Sequence, residues 1–251
     1  MNVLVTGGGT VAPIDDVRHL TNVSTGRFSA EISEACLRRG ASVWHVHSPT
    51  AQLPFCRLAG FDLDQPDPER EIERLLKVRR EYAAVRDRLH LCPVADGTVA
   101  NYAATLERVF REVSIEIAFL AMAVSDYEPI PFEGKLRSDL EFQELRLRAT
   151  PKIIRTIRKR LPDVYLVGFK LQSGSTVEEL VAVARESGLV NQADLTVAND
   201  LQLKQKGQHT IHLIPKDGPV ETLGPGGDIA DGLVERVLAW SLESRRIERA
   251  K

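Results

Sequence analysis

The sequence predicts an α/β protein with a doubly wound, mostly parallel sheet, and three observations indicate it. Residues 3–6 form a short apolar run, typical of a buried parallel strand, which breaks at once into the glycines at 7–9. Similar apolar runs then alternate with segments of helical periodicity. Some of these runs end in small residues and a carboxylate, as strands do at the ligand-binding edge of such sheets. We therefore expect a Rossmann-like architecture.

The chain after the first strand holds a glycine-rich cluster at 7–10 and a cluster of mostly small polar residues at 22–27, joined by a loop that contains Arg18. A dinucleotide-binding fold would begin its helix directly after the first cluster, but Pro13 and two acids intervene. Each cluster can bring backbone N–H groups close to a phosphate. We interpret the pair as two anion-binding loops ahead of one helix.

The first helix is predicted over residues 28–39, because the spacing is helical and Gly40 is a good helix stop. Cys36 lies on its apolar face, where a small core residue is commoner than a nucleophile. A strand follows in which His45 and His47 alternate with apolar residues, so both point to one face of the sheet. Two histidines are too few ligands to indicate a metal site by themselves.

A charged segment, residues 57–88, is expected to contain a solvated amphipathic helix. Its arginines fit a salt-bridged outer face or, less commonly, an anion site. A strand is expected at 89–94 and a helix at 101–113. The inner side of the amphipathic helix is predicted to hold Ile72, Leu75, Leu76 and Arg79.

Residues 114–121 predict a central strand that leads into small residues and Asp126. This carboxylate could cap a helix or bind a ligand or metal, although Pro129 blocks a helix soon after it. Lys135 follows Gly134 at a bend, where a lysine can close over a site or simply face solvent. Residues 144–149 alternate between apolar and charged, which predicts an exposed β-arm suited to a two-fold dimer contact.

The remaining pattern predicts a helix capped by Thr150 with Pro151 in its first turn. Further elements are expected in this order: a strand at 164–168, a helix from Thr176, the last parallel strand at 195–198, a hairpin over 209–223, and a closing helix capped by Asp228.

Bulk properties narrow the function classes. The 251 residues suit one domain over 1–251, and a net charge of −2 argues against a nucleic-acid coat. No apolar run could span a membrane, no signal peptide is evident, and three scattered cysteines indicate neither a disulfide framework nor a zinc site. A cytoplasmic protein is therefore expected.

Five stretches, in order along the chain, resemble the phosphopantothenate–cysteine ligase family in its standalone form, without the flavin-dependent decarboxylase domain. The resemblance leaves most of 57–113 unmatched. The stretches are residues 5–27, 121–129, 134–138, 150–154 with 167–171, and 191–201.

The resemblance implies a ligase that joins 4′-phosphopantothenate to L-cysteine in coenzyme A biosynthesis. The substrate carboxylate would attack the α-phosphate of CTP or ATP and release pyrophosphate, and the cysteine amine would then displace the nucleoside monophosphate. The resemblance also implies Mg²⁺, no flavin and a homodimer, and it leaves the metal ligands unassigned.

The family's functional residues map onto named positions. Asn22 would hold the substrate and the acyl intermediate, and Lys135 would complete the cysteine step. Arg18 would reach the substrate phosphate, in relatives across the dimer. Substrate binding is further implied for Asn22, Met122, Ala123 and Asp126. Nucleotide binding is implied for Gly8, Gly9, Ser24, Gly26, Asp126, Thr150, Pro151, Lys152, Ile153, Phe169 and Asn199.

The chain departs from the family at Ser29, where glycine is common, and at 184–191, which lacks two lysines that hold the triphosphate in many relatives; Ser187 and Asn191 lie there. CTP is still expected to be preferred. An NAD(P)-dependent short-chain reductase is the rival enzyme, but none of the tyrosines has a lysine four residues on. A non-catalytic nucleotide sensor is the other rival, and it would be expected to have lost Lys135 or Asn22.

Overall fold

The structure is a computed structural model that describes residues 1–137 and 139–249. Ser138, the last residue of the 134–138 stretch, lies outside the described residues. The strands are β1 Asn2–Gly7, β2 Val11–Pro13, β3 His19–Thr21, β4 Ser42–His47, β5 Leu89–Pro93, β6 Ile117–Leu120, β7 Tyr127–Pro129, β8 Leu147–Ala149, β9 Tyr165–Gln172, β10 Leu195–Asp200, β11 Ile211–Pro215 and β12 Glu221–Leu223. The helices are α1 Arg27–Arg38, α2 Pro68–Ala83, α3 Val99–Glu112, α4 Ile154–Arg160, α5 Val177–Asn191, α6 Leu201–Gln205 and α7 Ile229–Arg249.

The central sheet has eight strands in the order β12-β11-β10-β9-β6-β1-β4-β5. Six strands, β10, β9, β6, β1, β4 and β5, are parallel to one another. Strands β11 and β12 continue the sheet beyond β10 as an antiparallel hairpin. The α/β class and the doubly wound, mostly parallel sheet are thereby confirmed. Because β1 lies between β4 and β6, the direction of winding reverses at β1, and the crevice that such a reversal leaves is where these sheets bind ligands.

Helices cover both faces of the sheet. Val3 and Val5 of β1 pack with α1 and α7 on one face. Leu4, between them in sequence, packs with α3 and α4 on the other. The strand is therefore buried on both sides, which explains why its sequence is continuously apolar rather than alternating.

Arg18 lies in a loop, as predicted, and this loop joins the short strands β2 and β3. Two local predictions are wrong. The predicted arm forms a strand only over Leu147–Ala149, which pairs with β7. Helix α4 begins at Ile154, with no side-chain cap, because the Thr150 hydroxyl instead donates to the Ser125 carbonyl. These pairings join segments distant in sequence, which local patterns do not report.

Helix α2 also turns a different face inward than predicted. Ile72 and Leu76 are exposed, and Val78 and the carboxylate of Glu71 are buried. Glu71 is accommodated because it accepts hydrogen bonds from the Asp62 amide at 2.8 Å and from the Arg74 guanidinium. A carboxylate that pairs in this way can occupy an inner position that the periodicity assigns to an apolar residue.

Cys36 of α1 is a buried free cysteine. Burial raises the pKa of the Cys36 thiol to about 12, which keeps it protonated and fits a core residue.

The described residues contain no group of three or more His, Cys, Asp or Glu side chains placed to hold a metal ion. Within the same part of the chain, every helix is too short or too polar to cross a bilayer.

His45 is fully buried beneath α1. Its Nδ1 lies 2.7 Å from the Ser33 hydroxyl, and its ring stacks on His47 at a centroid distance of 6.0 Å. Burial, with a smaller contribution from the neighbouring His47, lowers the pKa of His45 to about 3. The ring is therefore neutral in the folded protein at pH values where it would be protonated in the unfolded chain.

His45→Gln should make the free energy of unfolding less sensitive to pH. In the wild type the unfolded state binds a proton below about pH 6.5 and the folded state does not, so stability should fall as pH drops from 7.5 to 5, by about 2 kcal/mol from this group. Urea unfolding at both pH values measures the difference. An equal loss of unfolding free energy between pH 7.5 and pH 5 in the wild type and in His45→Gln would contradict the lowered pKa of His45.

Candidate functional site

The carboxyl ends of β1 and β6 are tied together beyond the last ladder pair. The Thr6 hydroxyl accepts a hydrogen bond from the Met122 amide at 3.1 Å, and the Thr10 hydroxyl accepts one from the Ser125 amide at 3.0 Å. The Thr10 amide donates to the Ala123 carbonyl at 3.1 Å, and the Ala123 amide donates to the Gly8 carbonyl at 2.9 Å. Segments 6–10 and 122–125 are thus joined by these four hydrogen bonds at the point where the winding reverses, and together they are called the border below.

The glycines of the first loop are required by close packing. Gly8 has φ 87°, and a Cβ there would lie 2.0 Å from the Ser48 hydroxyl oxygen. A Cβ on Gly9 would lie 2.5 Å from the Asn22 carbonyl oxygen. Gly26, with φ 73°, packs against Ala51 in the same way. The two small-residue clusters therefore pack against each other and against the loop after β4, which brings Asn22 up to the border.

A cleft of about 860 Å³ opens beside this border. Its walls come from the end of β3, the segment after β6, the chain before α4, the end of β9 and one face of α5. Eight of the predicted site residues line it: Asn22, Met122, Ala123, Asp126, Pro151, Lys152, Ile153 and Phe169. The other predicted residues lie outside its lining: Gly8, Gly9, Arg18, Ser24, Gly26, Lys135, Thr150 and Asn199.

Asp126 projects from the border without capping a helix, so the first of its two sequence interpretations is wrong. Its carboxylate forms an ion pair with the Lys152 ammonium, and its carbonyl accepts a hydrogen bond from the Thr150 amide at 3.0 Å. The Thr150 side chain binds the carbonyl of Ser125. Thr150 therefore acts on the cleft indirectly, by fixing the chain that carries Lys152.

Sequence reasoning missed three charged residues of the cleft, Arg155, Lys170 and Glu186. Lys170 directly follows Phe169 near the carboxyl end of β9, a position that the strand pattern could have singled out. Arg155 and Glu186 belong to helices whose orientation depends on tertiary packing. On α5, the Asn191 side-chain amide donates to the Ser187 hydroxyl at 3.2 Å, so this helix presents a neutral polar pair to the cleft.

The turn that carries Arg18 contacts the loop that carries Lys135, although neither residue lines the cleft. Arg18 Nη1 is 2.6 Å from the Asp15 carboxylate and 3.4 Å from the Leu136 carbonyl oxygen. The Asp16 amide donates to the Gly134 carbonyl at 3.2 Å. The exposed Lys135 thus sits on a loop fastened to the turn that carries Arg18.

The model of the DNA/pantothenate metabolism flavoprotein C-terminal domain matches residues 1–59 and 93–239 of the chain. The bifunctional coenzyme A biosynthesis protein CoaBC of Thermococcus kodakarensis is 28% identical over 220 residues, which is 86% of this chain and 45% of the relative. Human phosphopantothenate–cysteine ligase is 25% identical, with 97% and 85% covered. The chain spans about half the length of the bifunctional relatives, at 45% and 50%.

Solved structures show the same fold. The DNA/pantothenate metabolism flavoprotein from Streptococcus pneumoniae superposes with a TM-score of 0.75 at 28% identity, covering 96% of this chain and 99% of that chain. Cab2 mutant H337A in complex with phosphopantothenate-cysteine superposes with a TM-score of 0.80 at 22% identity, covering 99% and 88%.

Gly9→Ala should displace Asn22, because the added methyl group would meet a backbone carbonyl that cannot rotate away. Overpacking of this kind costs about 1–3 kcal/mol of unfolding free energy. Gly60→Ala is the matched control, since a Cβ there meets nothing within 4 Å. Urea unfolding and the NMR chemical shifts of residues 21–23 should change in Gly9→Ala only. Unchanged chemical shifts in that variant would show that Gly9 does not fix Asn22.

Proposed function

Because the chain belongs to the family of the DNA/pantothenate metabolism flavoprotein C-terminal domain, we propose that it is a ligase joining 4′-phosphopantothenate to L-cysteine through an acyl-nucleotide. One observation carries the proposal: four of the five resembling stretches contribute to the wall of one cleft. They do so through Asn22, Asp126, Phe169 and Asn191. Segments far apart in sequence thus supply one site.

The first half-reaction needs positive charge around a triphosphate. The substrate carboxylate attacks the α-phosphorus, and the bond to the bridging oxygen breaks as pyrophosphate leaves. Lys170, Arg155 and Lys152 line the cleft and can neutralise phosphate oxygens, as phosphoryl-group chemistry requires. Lys152 would exchange its partner Asp126 for a phosphate, so ligand binding and release of this ion pair are coupled.

The second half-reaction needs hydrogen-bond donors at the acyl carbonyl. The cysteine amine attacks this carbon and loses a proton, the carbonyl oxygen becomes an oxyanion, and the bond to the nucleotide phosphate then breaks as the nucleoside monophosphate leaves. The Asn22 side-chain amide lies on the cleft wall and can donate to the oxyanion. Lys135 would bring positive charge to the same intermediate from the neighbouring loop.

Magnesium fits the cleft as an ion carried largely by the triphosphate. Mg²⁺ commonly takes one or two carboxylates together with substrate phosphates, and Asp126 and Glu186 are the carboxylates on the wall. When bound, the ion would neutralise phosphate charge. Neither half-reaction transfers electrons, so the proposed reaction needs no flavin.

The remaining sequence expectations stay predictions: CTP preferred over ATP, a homodimer in which Arg18 completes the neighbouring site, a cytoplasmic location, and a single domain with an insertion around 57–88. The match of the family model skips residues 60–92, which supports the insertion.

The proposal predicts pyrophosphate release that depends on phosphopantothenate. Purified protein with phosphopantothenate, cysteine, magnesium and CTP or ATP should release pyrophosphate, and mass spectrometry should find the cysteine conjugate. Omitting phosphopantothenate is the control. Nucleotide binding without any turnover would overturn the ligase and favour the sensor, and a higher kcat/KM for ATP would reverse the expected preference.

Lys135→Gln should form the acyl-nucleotide and fail to pass it on to cysteine, because the charge is needed at the second step. Asn22→Asp should impair handling of the intermediate by about 10²–10³-fold, since a donor is lost and an anion faces anionic substrate. The measurement is quenching with and without cysteine, followed by mass spectrometry.

The matched control is Lys216→Gln, which alters an exposed lysine beyond β11, at the opposite edge of the sheet. It should react like the wild type. Product release by Lys135→Gln at the wild-type rate would show that Lys135 is only a solvated side chain.

A further inference from the structure

Asp15 has a fully buried carboxylate that contacts two surface segments, and each segment carries a proposed functional residue. One segment is the turn at 14–18, which ends at Arg18, and the other is the loop at 132–136, which carries Lys135. Neither cleft geometry nor local pattern singles Asp15 out, and the roles assigned above do not include it.

Each carboxylate oxygen of Asp15 serves a different segment. Oδ1 accepts hydrogen bonds from the amides of Val17 at 2.9 Å and Arg18 at 2.7 Å, which closes the turn. Oδ2 accepts from the Leu136 amide at 2.9 Å and from Arg18 Nη1 at 2.6 Å. The carboxylate is thus the joint between the turn and the Lys135 loop.

Asp15 stays ionised although its carboxylate is buried. Burial alone would raise its pKa, but the amides of Leu136, Val17 and Arg18 and the Arg18 charge outweigh it and lower the pKa to about 2. The side chain is therefore an anion throughout the neutral pH range and accepts all four hydrogen bonds.

The backbone on both sides of Lys135 is held by the same turn. The Phe132 amide donates to the Ile14 carbonyl at 2.8 Å, and the Gly134 carbonyl accepts from the Asp16 amide at 3.2 Å. With Leu136 fixed by Asp15, Lys135 has held residues immediately before and after it, while its own side chain stays exposed.

We propose that Asp15 is a positioning residue that ties the loop of Lys135 to the turn at 14–18, so that Lys135 reaches the acyl intermediate from a fixed point. This inference rests on the proposed ligase function for its chemical consequence, but not for the mechanical tie itself. Because a displacement of about 1 Å can cost 10²-fold in rate, losing the tie should matter mainly at the step that uses Lys135.

Asp15→Asn is the appropriate variant because it divides the two tasks. Its one amide oxygen can still accept from the amides of Val17 and Arg18, but its NH₂ group would then face the donors Leu136 N–H and Arg18 Nη1. The turn should persist and the loop should be released. Glu71→Gln is the matched control: Glu71 is also buried, pairs with Arg74 and has a pKa lowered to about 2, but lies in α2 away from the cleft.

The mechanical test is hydrogen exchange of the Leu136 amide, which donates to Asp15. Exchange should be at least 10-fold faster in Asp15→Asn and unchanged in Glu71→Gln, with urea unfolding confirming that both variants fold. Unchanged exchange in a folded Asp15→Asn overturns the inference whatever the enzyme activity. Asp15→Glu is the second variant if Asp15→Asn does not fold, and its longer side chain should also accelerate exchange.

The chemical test is quenched turnover. Asp15→Asn should form the acyl-nucleotide within a few-fold of the wild-type rate and transfer it to cysteine about 10²-fold more slowly. The double variant with Lys135→Gln should be no slower than Lys135→Gln alone. Equal losses in both half-reactions, or additive losses in the double variant, would overturn the inference. A wild type that forms no acyl-nucleotide would instead overturn the ligase function, and the exchange result would still decide the tie.

Discussion

The hydroxyl groups of Thr6 and Thr10 fix the segment after β6 against the end of β1. Where β1 and β6 end, the winding of the sheet reverses, and the amides of Met122 and Ser125 have left the regular ladder. A buried amide without a partner costs about 1–3 kcal/mol, so the two threonines stabilise a segment that the sheet alone would leave unsatisfied. The Asn22 side of the cleft and the segment after β6 are placed by this border.

The long elements were predictable from the sequence because their burial is locally encoded. Strand β1 is apolar on both faces, and its predicted bounds are within one residue of Asn2–Gly7. The capping box at Thr176 and Glu179 likewise marks the start of α5 through residues only three apart. In both cases the residues that form the element also carry its signal.

The site was predictable only where it follows from strand ends. Asp126 and Phe169 lie near the carboxyl ends of parallel strands, and the topology brings such ends to one edge. Arg155 and Glu186 depend on how α4 and α5 pack, and the placement of Lys135 depends on a carboxylate about 120 residues earlier in the chain. Thr150 shows the same limit, since a residue that looks like a helix cap bonds across to Ser125 instead.

The charged side chains are unevenly distributed between the two sides of the cleft. Lys152, Arg155 and Lys170 come from the chain around α4 and the end of β9, whereas α5 contributes Glu186 and the neutral pair of Ser187 and Asn191. An anionic ligand would therefore be attracted to the α4–β9 side. Lys152 is paired with Asp126, so an anionic ligand would compete with that carboxylate for Lys152.

The bridge between Gly9 and Ala123 joins residues more than a hundred positions apart. Contacts of such long range form slowly, because a large loop must close before they gain any free energy. On the ribosome, β1, α1 and β4 can emerge and associate well before β6 and its following segment are made. The cleft cannot be completed until β9 and α5 have also left the exit tunnel, so a nascent chain acquires its binding site only after residue 191 has emerged.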